Sequence, residues 1–195
     1  WVCPDCVEEY HTCNECCSIV ESLRDGMCEG CFENNCDSVD NIIESYNYKP
    51  APKFFGEGDR FFGVELETEP CDDDGGGIEM VREIQEYVSE WAYLKHDGSL
   101  CDGGFELVTH PMTIENHIEK FTPELFRTIR NSNYVSHTNG NCGLHIHISR
   151  TAFKSDLAIV KLLEFVYGNY DSVVSKLGRR REITNYCRKN VIPSC

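Results

Sequence analysis

Phe61-Phe62-Gly63-Val64-Glu65-Leu66-Glu67-Thr68-Glu69 decides how this chain is read. In a strand, successive side chains point to opposite faces. Val64, Leu66 and Thr68 then share one face, while Glu65, Glu67 and Glu69 form a row on the other, roughly 7 Å between neighbours. An edge strand in water commonly carries charge, but this row is all of one sign and its flanks are apolar. Carboxylates aligned in this way suit a hard divalent cation, Mg2+ above all.

Working outward, Gly143-Leu144-His145-Ile146-His147-Ile148-Ser149 repeats the arrangement. Leu144, Ile146 and Ile148 make an apolar face; His145, His147 and Ser149 make a polar one. A lone histidine is more often a satisfied core residue, but two at i, i+2 on one face of an apolar strand are better candidates for ligands. Gly104–His110 reads as a third strand, with Glu106 opposite Phe105 and Leu107. Three strands with acid or imidazole on one face and hydrocarbon on the other describe an α+β domain. Its mostly antiparallel, curved sheet has helices packed on the back and a metal-lined front.

The helices follow from periodicity. Glu79–Trp91 carries Met80, Ile84, Tyr87 and Val88 on one stripe. Trp91–Leu94 reads as a short strand. Ile114–Phe121 and a segment from Pro123 to Arg130 read as two further helices, Pro123 at the first position of the second. Asp156 is expected to cap a long helix to Leu177, burying Val160, Leu163, Val166, Tyr170, Val174 and Leu177.

The chain has 195 residues and 13 Cys, and its 33 acidic residues against 18 basic give a formal charge of -15. That balance disfavours binding to a phosphate backbone. No apolar run approaches the roughly 18 residues of a membrane span. Neither nucleic acid nor membrane is an expected partner.

Eight of the cysteines fall within residues 1–36. Cys13-x2-Cys16 and Cys28-x2-Cys31 have the spacing of a zinc ribbon, in which each tight turn aims two thiolates at one Zn2+. Disulfides or an unfolded tail are the alternatives, but paired C-x2-C knuckles and scattered remaining thiols favour structural zinc in a cytoplasmic protein. Cys3-x2-Cys6 is a third knuckle. It either closes a ribbon begun upstream or holds a second ion with two of His11, Cys17 and Cys36. The expected organisation is a cysteine-rich module over 1–36, an extended Pro-containing linker over 37–60, and the sheet domain over 61–195.

Three ordered segments resemble the amidoligase family of the glutamine synthetase and glutamate–cysteine ligase superfamily. They are residues 62–69, residues 95–100 leading to 104–111, and residues 142–149, and the likeness runs over roughly residues 46–190. The resemblance implies a glutamine synthetase-like sheet. It also implies an ATP- and Mg2+-dependent ligase that phosphorylates a small-molecule or peptide carboxylate and passes its acyl group to an amine. Under it, Glu65, Glu67, Glu106 and His145 are metal ligands and catalytic, and His147 and Ser149 lie near the nucleotide. Asp97, Asn139 and Asn141 are substrate-side positions, and Arg179, Arg180 and Arg181 contact phosphate. Family members typically continue to a further strand rich in Glu and Arg, whereas this sequence stops at Cys195 and begins at Trp1, so the chain is expected to be trimmed on both sides and the domain incomplete at its C-terminus. The rival reading is a non-catalytic, zinc-stabilised binding or structural protein of phage origin that keeps the ligase fold and associates with itself or a protein partner. A metal-dependent hydrolase is the third.

Overall fold

The computed structural model of the chain describes residues 10–24, 26–31, 39, 42–71, 77–136, 138, 140–174 and 176. They belong to two compact units, Trp1–Ile42 and Ile43–Cys195.

In the first unit, β1 (His11–Thr12) pairs antiparallel with β2 (Ile19–Val20), and Cys13 and Cys16 lie in the turn between them. Cys17 adopts a left-handed backbone, φ 57°, and its N–H bonds to the carbonyl of Cys13 at 3.0 Å. The second knuckle follows a tight bridge between Arg24 and Met27. Gly26, φ 82°, turns that bridge, and a Cβ on it would strike the Asn14 side chain.

The second unit is mixed α and β, and its sheet is open rather than a closed barrel. β3 (Phe62–Pro70) is the central strand. It pairs antiparallel with β5 (Phe105–Thr109), β6 (Tyr134–Val135) and β7 (Leu144–Ile148), while β4 (Ala92–Lys95) pairs with β5. Paired residues share a face, so the register sorts the side chains. On the back, Leu66 stands between Leu107 and Leu144, Thr68 pairs with Phe105, and Leu94 with Leu107.

The helices are α1 (Ile78–Val88), α2 (Ile114–Lys120), α3 (Pro123–Asn131) and α4 (Asp156–Gly168). α1 buries Met80, Val81, Ile84 and Val88, and it packs on β4 and on α3. Thr122 caps α3, its hydroxyl accepting from the Leu125 N–H. Phe105 and Leu107 are fully buried, and Trp91 is wedged edge-on between Tyr87 and Phe121. Phe105→Ala is expected to destabilise the second unit by about 3–5 kcal/mol, the transfer and cavity cost of a buried aromatic. A denaturant midpoint unchanged from wild type would contradict this packing.

Several expectations are refined. Of the segment 37–60 read as an extended linker, residues 43–60 run along the second unit. Ile43 is buried, Glu44 bridges Lys95, and Phe55 bridges Met112, so this extended segment satisfies its backbone along the edge of the second unit. Helix α4 is shorter than expected and is capped by Ser155, whose hydroxyl accepts from the Ala158 N–H; Asp156 is its first helical residue and pairs with Arg150 at 2.7 Å. Gly168 and Asn169 end it, the Asn169 side chain donating to the Phe165 carbonyl, and a π-helical turn Tyr170–Val174 follows; Leu177 lies outside the described residues. The expected stripe is not buried either: Val160 and Leu163 are 46% and 45% exposed. Leu144, Ile146 and Ile148 on the back of β7 are likewise exposed, the helices α1 and α3 packing instead on β4 and β6.

Candidate functional site

The same register builds a polar front. Across the sheet, Glu67 stands beside Glu106, and Glu106 beside Lys95; one row over, His145 stands beside Glu65, and Glu65 beside Val108. In the third row His147 is opposite Gly63. Direct cross-strand neighbours lie about 5 Å apart, so pairing brings together groups that are distant in sequence.

Side-chain geometry tightens the cluster. His145 Nδ1 lies 3.0 Å from one oxygen of Glu65 and 3.9 Å from Glu67 Oε1, and His147 Nε2 lies 3.1 Å from the other Glu65 oxygen. Burial works against the Glu65 charge, but hydrogen bonds from His147 and His145 outweigh it and hold the carboxyl below its usual range. Glu106 shows the opposite balance. Burial first, then the charge of Glu65, pushes it up to about 7, against the attraction of Lys95. Lys95 Nζ is 3.6 Å from Glu106 Oε2 and 5.4 Å from the centre of the Tyr46 ring.

Ligand atoms of Glu65, Glu106 and His145 all lie within 4.8 Å of one another. That is close to the roughly 4–5 Å span of opposite oxygen ligands around one small divalent cation. Two partly exposed groups and one buried carboxylate of raised pKa make a donor set that a hard cation fits. Glu67 is buried beside them, one oxygen accepting from the backbone N–H of Gly143. Glu69, third in the sequence row, sits apart. It is buried, and its Oε1 accepts from the Cys101 N–H at 2.8 Å, which ties down the loop before β5.

Other expected positions fall at the rim. Asp97 accepts from the Ser99 N–H at 2.8 Å and from the Ser99 hydroxyl. Burial opposes its charge, but those bonds, with Lys95 and His145 nearby, keep its carboxyl below the usual range. Ser149 uses its hydroxyl within the protein, accepting from the Phe61 N–H at 3.1 Å and donating to the Asp59 carbonyl at 3.3 Å. Asn141 lies in an exposed bend two residues before Gly143. Asn139, Arg179, Arg180 and Arg181 lie outside the described residues. Sequence reasoning did not pick out Lys95 and Gly143. Lys95 entered only as the first residue of the segment 95–100, just past the expected strand Trp91–Leu94, and Gly143 acts through its backbone alone.

In the first unit the four Sγ atoms of Cys13, Cys16, Cys28 and Cys31 fall within 4.8 Å of one another, Cys16 and Cys28 at 3.7 Å. Backbone N–H groups of Cys16 and Cys28 hold the Cys13 thiol down at about 6, whereas the Cys28 and Cys16 thiols push Cys31 up to about 12. The first thiolate forms readily and the last resists, and a tetrahedral Zn2+ held by the four sulfurs would relieve that crowding. Cys3 and Cys6 lie outside the described residues.

Among the described residues, no helix is long and apolar enough to cross a membrane. No curated protein and no solved structure matches the chain. One family model does match, described as putative amidoligase enzyme, and it covers residues 46–192. That span holds β3, β5 and β7 with Glu65, Glu106 and His145, and the chain belongs to the amidoligase family.

Proposed function

We propose that the second unit is an ATP- and Mg2+-dependent carboxylate–amine ligase on a sheet of glutamine synthetase-like type. The observation that carries this reading is the convergence of Glu65, Glu106 and His145 on one sheet face, within the region shared with the family. A substrate carboxylate oxygen attacks the γ-phosphorus of ATP, ADP leaves, and an acyl phosphate results. The amine nitrogen then attacks the acyl carbon, phosphate departs with the former carboxylate oxygen, and the nitrogen gives up a proton. Small-molecule or peptide carboxylates and amines are the substrate classes. Bound Mg2+ would neutralise charge on the transferred phosphoryl group.

The chain's own residues divide the remaining work. Glu65, Glu106 and His145 hold the cation, while His147 fixes the orientation of Glu65. Glu67, pinned by Gly143, keeps the neighbouring acid in place, and Lys95 offers a positive charge at the edge of the cluster. Asp97 and Asn141 face substrate, and Arg179 to Arg181 supply phosphate contacts. The test is release of ADP and phosphate across a panel of carboxylates paired with amines. Release is expected only with both partners and a divalent cation; release without ATP-dependent coupling to an amine contradicts the reading.

Binding of the cation should depend on pH. In the cation-free protein Glu106 is half protonated near pH 7, and ligation needs the carboxylate. Below pH 7 each ion therefore displaces a proton, and apparent affinity falls by up to about tenfold per pH unit. Well above pH 7 it levels off. Mn2+ titrations at pH 6 and pH 8 check this, and equal affinities at the two would remove Glu106 from the ligand set.

A further inference from the structure

The β3–β5 ladder contains a fault next to the carboxylates. Its last regular pair is Glu65 with Val108, and the strands meet again where Phe62 and Met112 exchange backbone hydrogen bonds at 2.8 and 2.9 Å. Gly63 and Val64 thus face Thr109, His110 and Pro111, one residue more, which is the count of a β-bulge. Pro111 has no N–H to give, and the Thr109 hydroxyl accepts the Val64 N–H at 2.9 Å in place of a ladder carbonyl. The parted strands leave a half-open pocket of about 290 Å³ between Glu65, Val108, Pro111, His147 and Ile148, floored by Gly63.

We propose that this pocket seats the uncharged aliphatic substituent of the amine substrate, with the ammonium head against Glu65, and that Gly63 sets the size admitted. The identification of the amine as a substrate rests on the ligase reading; the pocket's preference does not. Val108 and Pro111 present hydrocarbon. The hydroxyls of Thr109 and Ser149 are already used inside the protein. Among the described residues no Lys or Arg lines the pocket, and its one acid is Glu65. In the cation-free protein an anionic substituent would meet Glu65 as a like charge, at the cost of desolvation. An ammonium head with an apolar body matches both ends of the pocket.

Gly63 makes the size limit testable. A Cβ placed on it would meet only His147, at 3.6 and 3.9 Å, which is ordinary contact. Ala is therefore accommodated, and the larger Val fills space the substituent would take.

Ligand-observed NMR titration of the intact chain, without ATP or divalent cation, tests the proposal using isobutylamine, methylamine and isobutyrate. Isobutylamine should bind on the order of 1 mM, as a five-heavy-atom ligand permits, and isobutyrate should not bind. Gly63→Val should lower the isobutylamine-to-methylamine affinity ratio at least tenfold, and Gly63→Ala should lower it to a lesser degree. Binding of isobutyrate in preference to isobutylamine, binding of neither, or a ratio unchanged in Gly63→Ala and Gly63→Val would overturn the proposal. Because ATP is absent, failure of the ligase reading would leave these results standing, and appears separately as absent ADP release with every amine.

Discussion

Glu106→Gln is expected to lower ATP turnover by about 10³-fold or more, roughly 4 kcal/mol of transition-state stabilisation, while the second unit stays folded. The two halves of that expectation have different causes. Turnover falls because the amide cannot provide the anionic oxygen shared with Glu65 and His145. The fold survives because the native carboxyl, pushed up to about 7, is already half neutral at neutral pH, and glutamine has its shape. Lys95 loses its partner but keeps the face of Tyr46. The pH dependence of stability supplies an internal control. A carboxyl raised from 4.5 to about 7 on folding makes the cation-free wild type lose stability as pH rises between those values. The Gln variant should lack that decline. Full turnover in Glu106→Gln would remove the cluster from the chemistry, and unfolding of the variant would show that Glu106 is held for structure.

The second large effect concerns the first unit. Stripping zinc with a strong chelator, or replacing Cys28 by Ser, is expected to unfold the turns around Cys13 and Cys28 outright. β1 and β2 are two residues each, and among the described residues of this unit only Cys13 is buried hydrophobic. Structural zinc contributes on the order of 10 kcal/mol to modules of this size, more than so small a core can replace. Hydrogen exchange provides the readout. The amides of Cys13, Asn14, Cys17, Arg24 and Met27, all bonded to backbone carbonyls, should lose protection. Those of β3 and β5 should keep theirs. Retained protection in the chelated protein would mean that the four thiols do not hold a structural ion.

Strands β3 and β7 were legible because alternation is local: every second residue of each changes character between acid or imidazole and hydrocarbon, while β5 shows a single acid, Glu106, between Phe105 and Leu107. Local pattern also gave α1, α3 and the spacing of the four cysteines. Pairing was not legible. That Glu65 meets His145 and Glu67 meets Glu106 depends on register between segments some 40 to 80 residues apart. Glu69 shows the cost of reading a row from one strand alone, since the chain folds its carboxylate under the Cys101 amide. Lys95 becomes part of the site only through β4 lying beside β5. Periodicity in α4 named residues that share a face but could not say what covers them, and there the expected burial failed.

The account's central claim is that a carboxylate is activated by phosphoryl transfer before the amine attacks, and isotope transfer tests it most directly. With a carboxylate labelled with 18O in both oxygens, the phosphate released during turnover should carry one 18O, passed from the carboxylate through the acyl phosphate. Phosphate free of label, released while the amide forms, would contradict the account.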